Sequence, residues 1–320
     1  MGSSASVSVA IVNWNGIDHI ARCLDAVMGQ SLSPGEVVVV DNGSTDGSPQ
    51  LIRDRYPQVG LVERPTNEGF CKGYNRAIRH TEFPYVLILN NDVFLDRDFL
   101  LQAVTAIDEA PDIGSVAARI LKAGSGEVAD VGHYLQRRLR VVSSANASEP
   151  EFVFAGSGAA LLCRREMLED VRLFGEYFDE SFFMYWEDVD LAWRAQLRGW
   201  RCLYAPNVVA HHLESASQEG RIRVLEKSGD IQRHIWKNRY LILAKDASPR
   251  VLVSLFPWLV LAEALSWPYL LLRIPHRLPV FVQAHVDAAR LFRDAVRKRR
   301  VVQRRRRVSG GEIMRSFKGF

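Results

Sequence analysis

Cysteine is scarce: four in 320 residues, Cys23, Cys71, Cys163 and Cys202, widely spaced and with no Cys-x-x-Cys pair. That spacing argues against a zinc ribbon or a disulfide framework, and fits reduced thiols in a cytosol. A secretory leader is not expected from the opening residues either. Met1-Gly2-Ser3-Ser4-Ala5-Ser6 lacks a basic start, and the apolar run after it is too short and ends in Asn13-Trp14-Asn15. No Gly-x-x-x-x-Gly-Lys-Ser phosphate loop occurs, and no internal repeat. Nor is there a nucleic-acid recognition module, so nucleic acid is not an expected partner. Charge of one sign is absent from most of the chain. The formal net charge is +4, yet residues 293–307 hold nine Arg or Lys against one Asp, which leaves −4 for the rest. The basicity, and any anionic partner it implies, belongs to the tail.

What remains is ordinary globular material, 48% hydrophobic and 24% charged, long enough for one large α/β domain with an appendage. Val7-Ser8-Val9-Ala10-Ile11-Val12 predicts a buried strand, and apolar residues at helical spacing follow over 17–28. Further strands are predicted at 36–40, 59–62 and 85–89, with helices around 47–55, 69–80 and 97–108. This alternation means a mostly parallel central sheet flanked by helices. Ligands of such sheets bind beyond the carboxyl ends of the strands. Asn13, Asp41 and Asn90-Asn91-Asp92 therefore fall on one edge. Beyond residue 110 the pattern loosens into strand-like pieces at 113–118, 127–135 and 151–162 and a helix at 187–198.

Five clusters carry chemistry, each with a plainer alternative. Asp41, closing a valine-rich strand before Asn42-Gly43-Ser44-Thr45-Asp46-Gly47-Ser48, can accept a hydrogen bond from a nucleobase ring N–H; a capped helix start explains it equally. Asn67-Glu68-Gly69-Phe70-Cys71-Lys72-Gly73-Tyr74-Asn75 sets two glycines at a helix start, where backbone can approach a diphosphate. Helix packing alone would also account for them. Asp92, just past a buried strand, offers a carboxylate to a hard divalent cation, or closes a common turn. Phe182-Phe183-Met184-Tyr185-Trp186 leads into Glu187, Asp188 and Asp190. Beside such an aromatic wall a carboxylate can become a general base, although acids are favoured in any first helical turn. His211 and His212 can lend an imidazole to a metal, or serve structure.

In their order along the chain, several motifs together resemble the family 2 glycosyltransferases of GT-A fold. They are Val12-Asn13-Trp14-Asn15-Gly16, Asp41 through Ser48, Asn67-Glu68-Gly69-Phe70, Leu89-Asn90-Asn91-Asp92, Trp186-Glu187-Asp188-Val189-Asp190-Leu191 and His212. Within that family the likeness is to the rhamnosyltransferase-like branch of cell-surface polysaccharide assembly, over roughly residues 6–245. The resemblance implies a catalytic domain over 1–245, with apolar and amphipathic helices and a basic tail over 246–320. It implies inverting, metal-dependent transfer of a sugar from a nucleotide-sugar to a saccharide or lipid-linked saccharide, with dTDP-rhamnose the first choice of donor. Asn13 and Asp41 would line the nucleobase pocket, and Asn67, Gly69, Asn75, Asn90 and Asn91 the nucleotide-sugar site. Gly156-Ser157-Gly158 would lie near donor sugar and acceptor. Asp188 matches the catalytic base, with Glu187 in support. Asp92 matches the last carboxylate of the Asp-x-Asp motif, and His212 the second ligand for Mn²⁺ or Mg²⁺, with His211 as fallback. Asn90 stands where many members carry the motif's first Asp. Gln196-Leu197-Arg198-Gly199-Trp200 departs from the Gln-x-x-Arg-Trp of processive members, so transfer of one or a few sugars is expected. The competing readings are a catalytically silent nucleotide-sugar-binding or scaffold protein of the same fold, and a nucleotidyltransferase. The latter should show a glycine-rich basic loop where Asn13-Trp14-Asn15-Gly16 stands.

Residues 251–272 are almost entirely apolar and long enough to span about 30 Å of hydrocarbon. Glu263, Pro257 and Pro268 argue instead for helix pieces lying in the interface, with Arg297-Lys298-Arg299-Arg300 and Arg304 to Arg307 toward anionic headgroups. A helical hairpin packed on the catalytic domain, ending in a solvated tail, is the alternative. The expected place is the cytoplasmic face of the plasma membrane, peripheral or monotopic; a homo-oligomer is left open.

Overall fold

Apolar runs buried on both faces form the central strands of the first half. The computed structural model describes residues 7–143, 148–213 and 224–319, so the leader reading, which rests on Met1 to Ser6, lies outside the described residues. Strands β1 (Val7–Asn13), β2 (Glu36–Asp41), β3 (Gly60–Glu63) and β4 (Tyr85–Asn90) alternate with helices α1 (Ile20–Met28), α2 (Ser48–Arg55) and α3 (Phe70–Arg79). They pair in parallel, in the order β3-β2-β1-β4. A parallel strand covered by helices on both sides shows no apolar alternation, so β1 and β2 read as continuous apolar runs.

The second half holds β5 (Val93–Leu95), α4 (Phe99–Ile107), β6 (Ile113–Lys122), β7 (Val128–Asp130), β8 (His133–Leu135), β9 (Val141–Ser143), β10 (Glu151–Val153), β11 (Ala160–Arg164), α5 (Arg165–Val171), α6 (Glu187–Arg198) and β12 (Arg201–His212). Here the sheet becomes mixed. β11 runs antiparallel between β4 and β6, and β6 is parallel to β12. Two antiparallel steps restore the direction, so β6 and β12 end on the same edge as β1, β2 and β4. The stretch 151–162 that reads as one strand is two, with Gly156-Ser157-Gly158 in the loop between them. β12 escapes a sequence reading because its register shifts between Ala205 and Val209, around Pro206.

Four helices follow: α7 (Gly229–Asp246), α8 (Pro249–Arg273), α9 (Leu278–Arg305) and α10 (Gly310–Arg315). Ser248 caps α8 by accepting from the Val251 N–H, and Pro249 sits in its first turn. The helix pieces expected from Pro257 and Pro268 are one continuous 25-residue helix. Both prolines lie on its exposed face, where the ring meets open space and only single hydrogen bonds are given up. By length and composition α8 can cross a membrane, with a mean hydropathy of 1.5. Val253, Phe256, Leu265 and Leu272 are exposed on it, whereas Glu263 turns inward and accepts from the Tyr240 hydroxyl at 2.6 Å.

The basic cluster is not wholly free for headgroups, as the sequence reading had it. Lys298 is buried, its Nζ 2.6 Å from Asp179 and 3.0 Å from Glu176. Arg299 donates to the Ala244 and Ala247 carbonyls, and Arg305 to those of Asp170 and Arg172. Carboxylates and open carbonyls on the catalytic side need cations, and α9 brings them. Arg293, Arg297, Arg300, Arg304, Arg306 and Arg307 remain exposed. Phe317 meets Phe154 and Trp193 edge-on at 5.8 and 5.6 Å, so residues beyond 245 share a core with those before it. Phe317→Ala is expected to remove about 3 kcal/mol from the whole molecule. Urea unfolding should remain a single transition at a lower midpoint; a separate early step would mark the C-terminal helices as an independent unit.

Candidate active site

The edge where the parallel strands end is built first by amides. Asn13 and Asp41 are register partners on β1 and β2. The Asn13 Nδ2 donates to Asp41 at 2.8 Å and to the Ser48 hydroxyl at 2.8 Å, while its Oδ1 accepts from Asn91 at 2.9 Å. A side chain at Gly16 would overlap that Asn13–Asn91 bond, with a Cβ only 2.3 Å from both amides, so glycine is required there. Asn13 is fully buried. Asp41, itself buried, also accepts from the Ser44 N–H and hydroxyl at 2.9 and 2.6 Å. Trp14, the next residue, is 55% exposed beside this knot. Sequence reasoning gave it no role, although a large aromatic in a polar strand-end turn was signal enough.

Asn42 ties the second loop to the third. Its Nδ2 donates to Asn67 and to the Gly69 carbonyl at 3.1 and 3.0 Å, and Asn67 accepts from the Gly69 N–H at 2.8 Å. Gly69 has φ +88°, and a Cβ there would lie 2.5 Å from the Phe183 ring. Asn75 is used differently from what the sequence suggests. It is buried inside α3, accepting from the Tyr177 and Phe178 N–H groups and donating to the Phe178 carbonyl. It bears on the site at one remove, through the chain that leads to Phe182.

Asp92 and His212 stand 120 positions apart in sequence, and their side chains meet. β5 pairs with the end of β12, His212 against Val93, which sets His212 Nε2 3.1 Å from Asp92 Oδ2. Strand alternation turns His211 to the opposite face, where it pairs with Asp96 at 2.9 Å. The pleat thus decides which of the two histidines faces Asp92. One carboxylate and one imidazole, with diphosphate oxygens for the remaining positions, suit Mn²⁺ or Mg²⁺. Among the described residues no third His, Cys, Asp or Glu joins them.

Asp188 opens α6. Its Oδ2 accepts from the Gly158 N–H at 3.3 Å and its Oδ1 from the Val189 N–H at 2.7 Å. The Gly158 loop closes back on β4, since the Ala159 carbonyl accepts from the Asn90 N–H at 2.9 Å. That bond links the Asp188 side of the edge to the Asp92 side. Glu187 is buried, and burial, reinforced by the Asp188 charge, pushes its carboxyl well above the usual range. The two adjacent carboxyls have different surroundings, Glu187 buried and Asp188 only partly so. The strand pattern gave no warning of His133. Burial opposes its charge, but Asp130, 2.5 Å from Nε2, raises the imidazole to about 9, with a smaller contribution from Asp188.

A family description, Glycosyl transferase family 2, matches residues 8–172. The chain belongs to that family. It is 30% identical over 268 residues to the N-acetylglucosaminyl-diphospho-decaprenol L-rhamnosyltransferase of Mycobacterium tuberculosis, covering 74% of this chain and 83% of that one. It is 22% identical to the poly-beta-1,6-N-acetyl-D-glucosamine synthase of Staphylococcus aureus, of which it spans about half, 48%. Staphylococcus aureus TarS 1–349 with UDP-GlcNAc matches at a TM-score of 0.61 and 18% identity, over 93% of this chain and 90% of that one. The Pyrobaculum calidifontis mannosyltransferase PcManGT, with GDP-Man and Mn²⁺, matches at 0.55 and 22%, over 93% and 85%. The chain is therefore a glycosyltransferase that draws on a nucleotide-sugar, and its fold is GT-A, as the sequence resemblance implied.

If Glu187 is neutral in the folded transferase, Glu187→Gln should keep kcat within about threefold. Its raised carboxyl binds a proton on folding, so stability falls as pH rises from the ordinary range of about 4.5 toward the raised value. Gln removes that slope. Thermal midpoints of the variant and the parent should agree near pH 4 and separate at pH 8 in the variant's favour.

Proposed function

We propose that this transferase moves a single sugar, with inversion, from a nucleoside-diphosphate donor to a hydroxyl of a lipid-linked saccharide in cell-surface polysaccharide assembly. dTDP-rhamnose is the donor we favour: the mycobacterial relative's name supports the rhamnosyl group, and the nucleotide rests on the resemblance to the rhamnosyltransferase-like branch. The observation that carries the reading is the joined edge: Asp188 at Gly158, Ala159 at Asn90, and Asp92 at His212.

In this reading Asp41 accepts from the base ring N–H and Asn13 holds it in place. The Asn67-Glu68-Gly69 turn brings backbone against the donor, with Trp14 available to stack on the base. Asp188 takes the proton from the acceptor hydroxyl as its oxygen attacks the anomeric carbon from the face opposite the diphosphate. The anomeric carbon–oxygen bond breaks, and nucleoside diphosphate leaves. A divalent ion held by Asp92 and His212 would supply charge neutralisation at the departing diphosphate. Burial favours the protonated form of Glu187, and Asp188, hydrogen-bonded to the Gly158 N–H, is the carboxyl placed against the Gly156-Ser157-Gly158 loop. The exposed apolar face of α8 and the outward arginines of α9 would seat the protein on the cytoplasmic face of an anionic membrane, where such acceptors lie.

A panel of nucleotide-sugars, assayed for transfer to a lipid-diphosphate-linked saccharide with and without Mn²⁺ or Mg²⁺, tests this. One donor should turn over, and Asp188→Asn should lower kcat by about 10²–10⁴. Binding of a nucleotide-sugar without turnover would favour a silent scaffold. His212→Ala should raise the Mn²⁺ needed for half-maximal rate at least tenfold, while His211→Ala changes it less than threefold; equal effects would remove His212 from the metal.

A further inference from the structure

The turn that delivers Glu187 and Asp188 is in an unfavourable conformation. Phe183, Tyr185 and Trp186 have φ of +68°, +64° and +71°, the left-handed region that residues with a side chain rarely adopt. Three such residues in a stretch of four persist only where the surroundings leave no alternative. The surroundings here are one face of α7. Asn238, fully buried, directs its Nδ2 at the carbonyls of Phe182, Met184 and Tyr185 at 3.0, 2.9 and 2.7 Å. Lys237 adds its Nζ to the Ser181 carbonyl at 2.7 Å, and His234 stacks on the Phe183 ring at 4.9 Å. Residues 234, 237 and 238 share a helix face by their spacing of three and four. The other side of the turn is fixed by α3, whose Cys71 N–H donates to the Phe183 carbonyl at 3.1 Å.

We propose that Asn238 is a positioning residue for the catalytic base: its buried amide holds the left-handed turn 182–186 in the conformation that brings Asp188 to Gly158. The inference rests on the reading of Asp188 as the base. An unstrained turn would need no such support. A helix merely packed on the turn would offer it apolar side chains, since three converging carbonyls demand a donor that packing does not supply.

Two readouts test it, one independent of activity. In hydrogen exchange on the full chain, Asn238→Ala should speed exchange of residues 182–190 at least tenfold while β1, β2 and β4 stay protected. In transfer assays it should lower kcat ten- to a hundredfold and leave the donor KM within threefold, because the base is displaced and the nucleotide site is not. Tyr185→Gly in the same chain removes one strained side chain, so the loss caused by Asn238→Ala should shrink to under threefold in that background. A variant that is too unstable to purify is replaced by Asn238→Ser, which keeps one donor and should show the same pattern with a smaller loss. Unchanged exchange at 182–190 overturns the proposal. So does faster exchange with kcat intact, or a kcat loss matched by a rise in donor KM. If Asp188→Asn keeps its activity, the reading of the base fails instead, and the exchange data still report whether Asn238 holds the turn.

Discussion

Lys245 has no exposed surface, and its ammonium lies 2.5 Å from both Asp179 and Asp190. Burial works against that charge, and the two carboxylates outweigh it. Asp190 is also bound by Arg194 at 2.8 Å, and Asp179 by Lys298 at 2.6 Å. This one network fastens α7 and α9 to the chain segment that carries Glu187 and Asp188. A buried ion pair of this kind adds little net stability over an apolar replacement, but losing one partner leaves an uncompensated charge. What it gives is a fixed relative placement of the elements, and the site needs that placement.

The rest of the arrangement follows from it. With α7 held at its Lys245 end, its Lys237 and Asn238 face the 181–185 carbonyls. The turn can then remain left-handed, and α6 can begin next to Gly158. The C-terminal helices are thus part of how α6 is placed, and the apolar outer face of α8 is carried on the same framework.

Much of the site was legible before any coordinates. Asn13, Asp41 and Asn90 to Asp92 end adjacent parallel strands, and the position of a strand end follows from alternating strand and helix signals. Asp188 was legible through its motif. Less visible was what each side chain does. Asn13 and Asn75 read as ligand-facing polar residues, yet both are buried and hold backbone or carboxylate. Local sequence cannot tell a polar group aimed at substrate from one aimed at the protein, because both need hydrogen-bond partners. The basic run near residue 300 posed the same difficulty. Its charges read as one cationic face, while helical geometry turns Lys298 inward and leaves Arg297 and Arg300 outward.

The sequence alone determined the class of fold, the carboxyl edge as the place of chemistry, and the candidate base and metal carboxylate. These depend on local periodicity and on motif order, which are written in short stretches. Tertiary structure decided which histidine meets Asp92, since that depends on the pairing of β5 with β12 and on the phase of the pleat. It also decided that Glu187 and Asp188 differ, because burial is set by elements far along the chain. The support of the strained turn by Asn238 was decided the same way. The donor lies 53 to 56 positions from the carbonyls, and only packing between α7 and that turn brings them within reach.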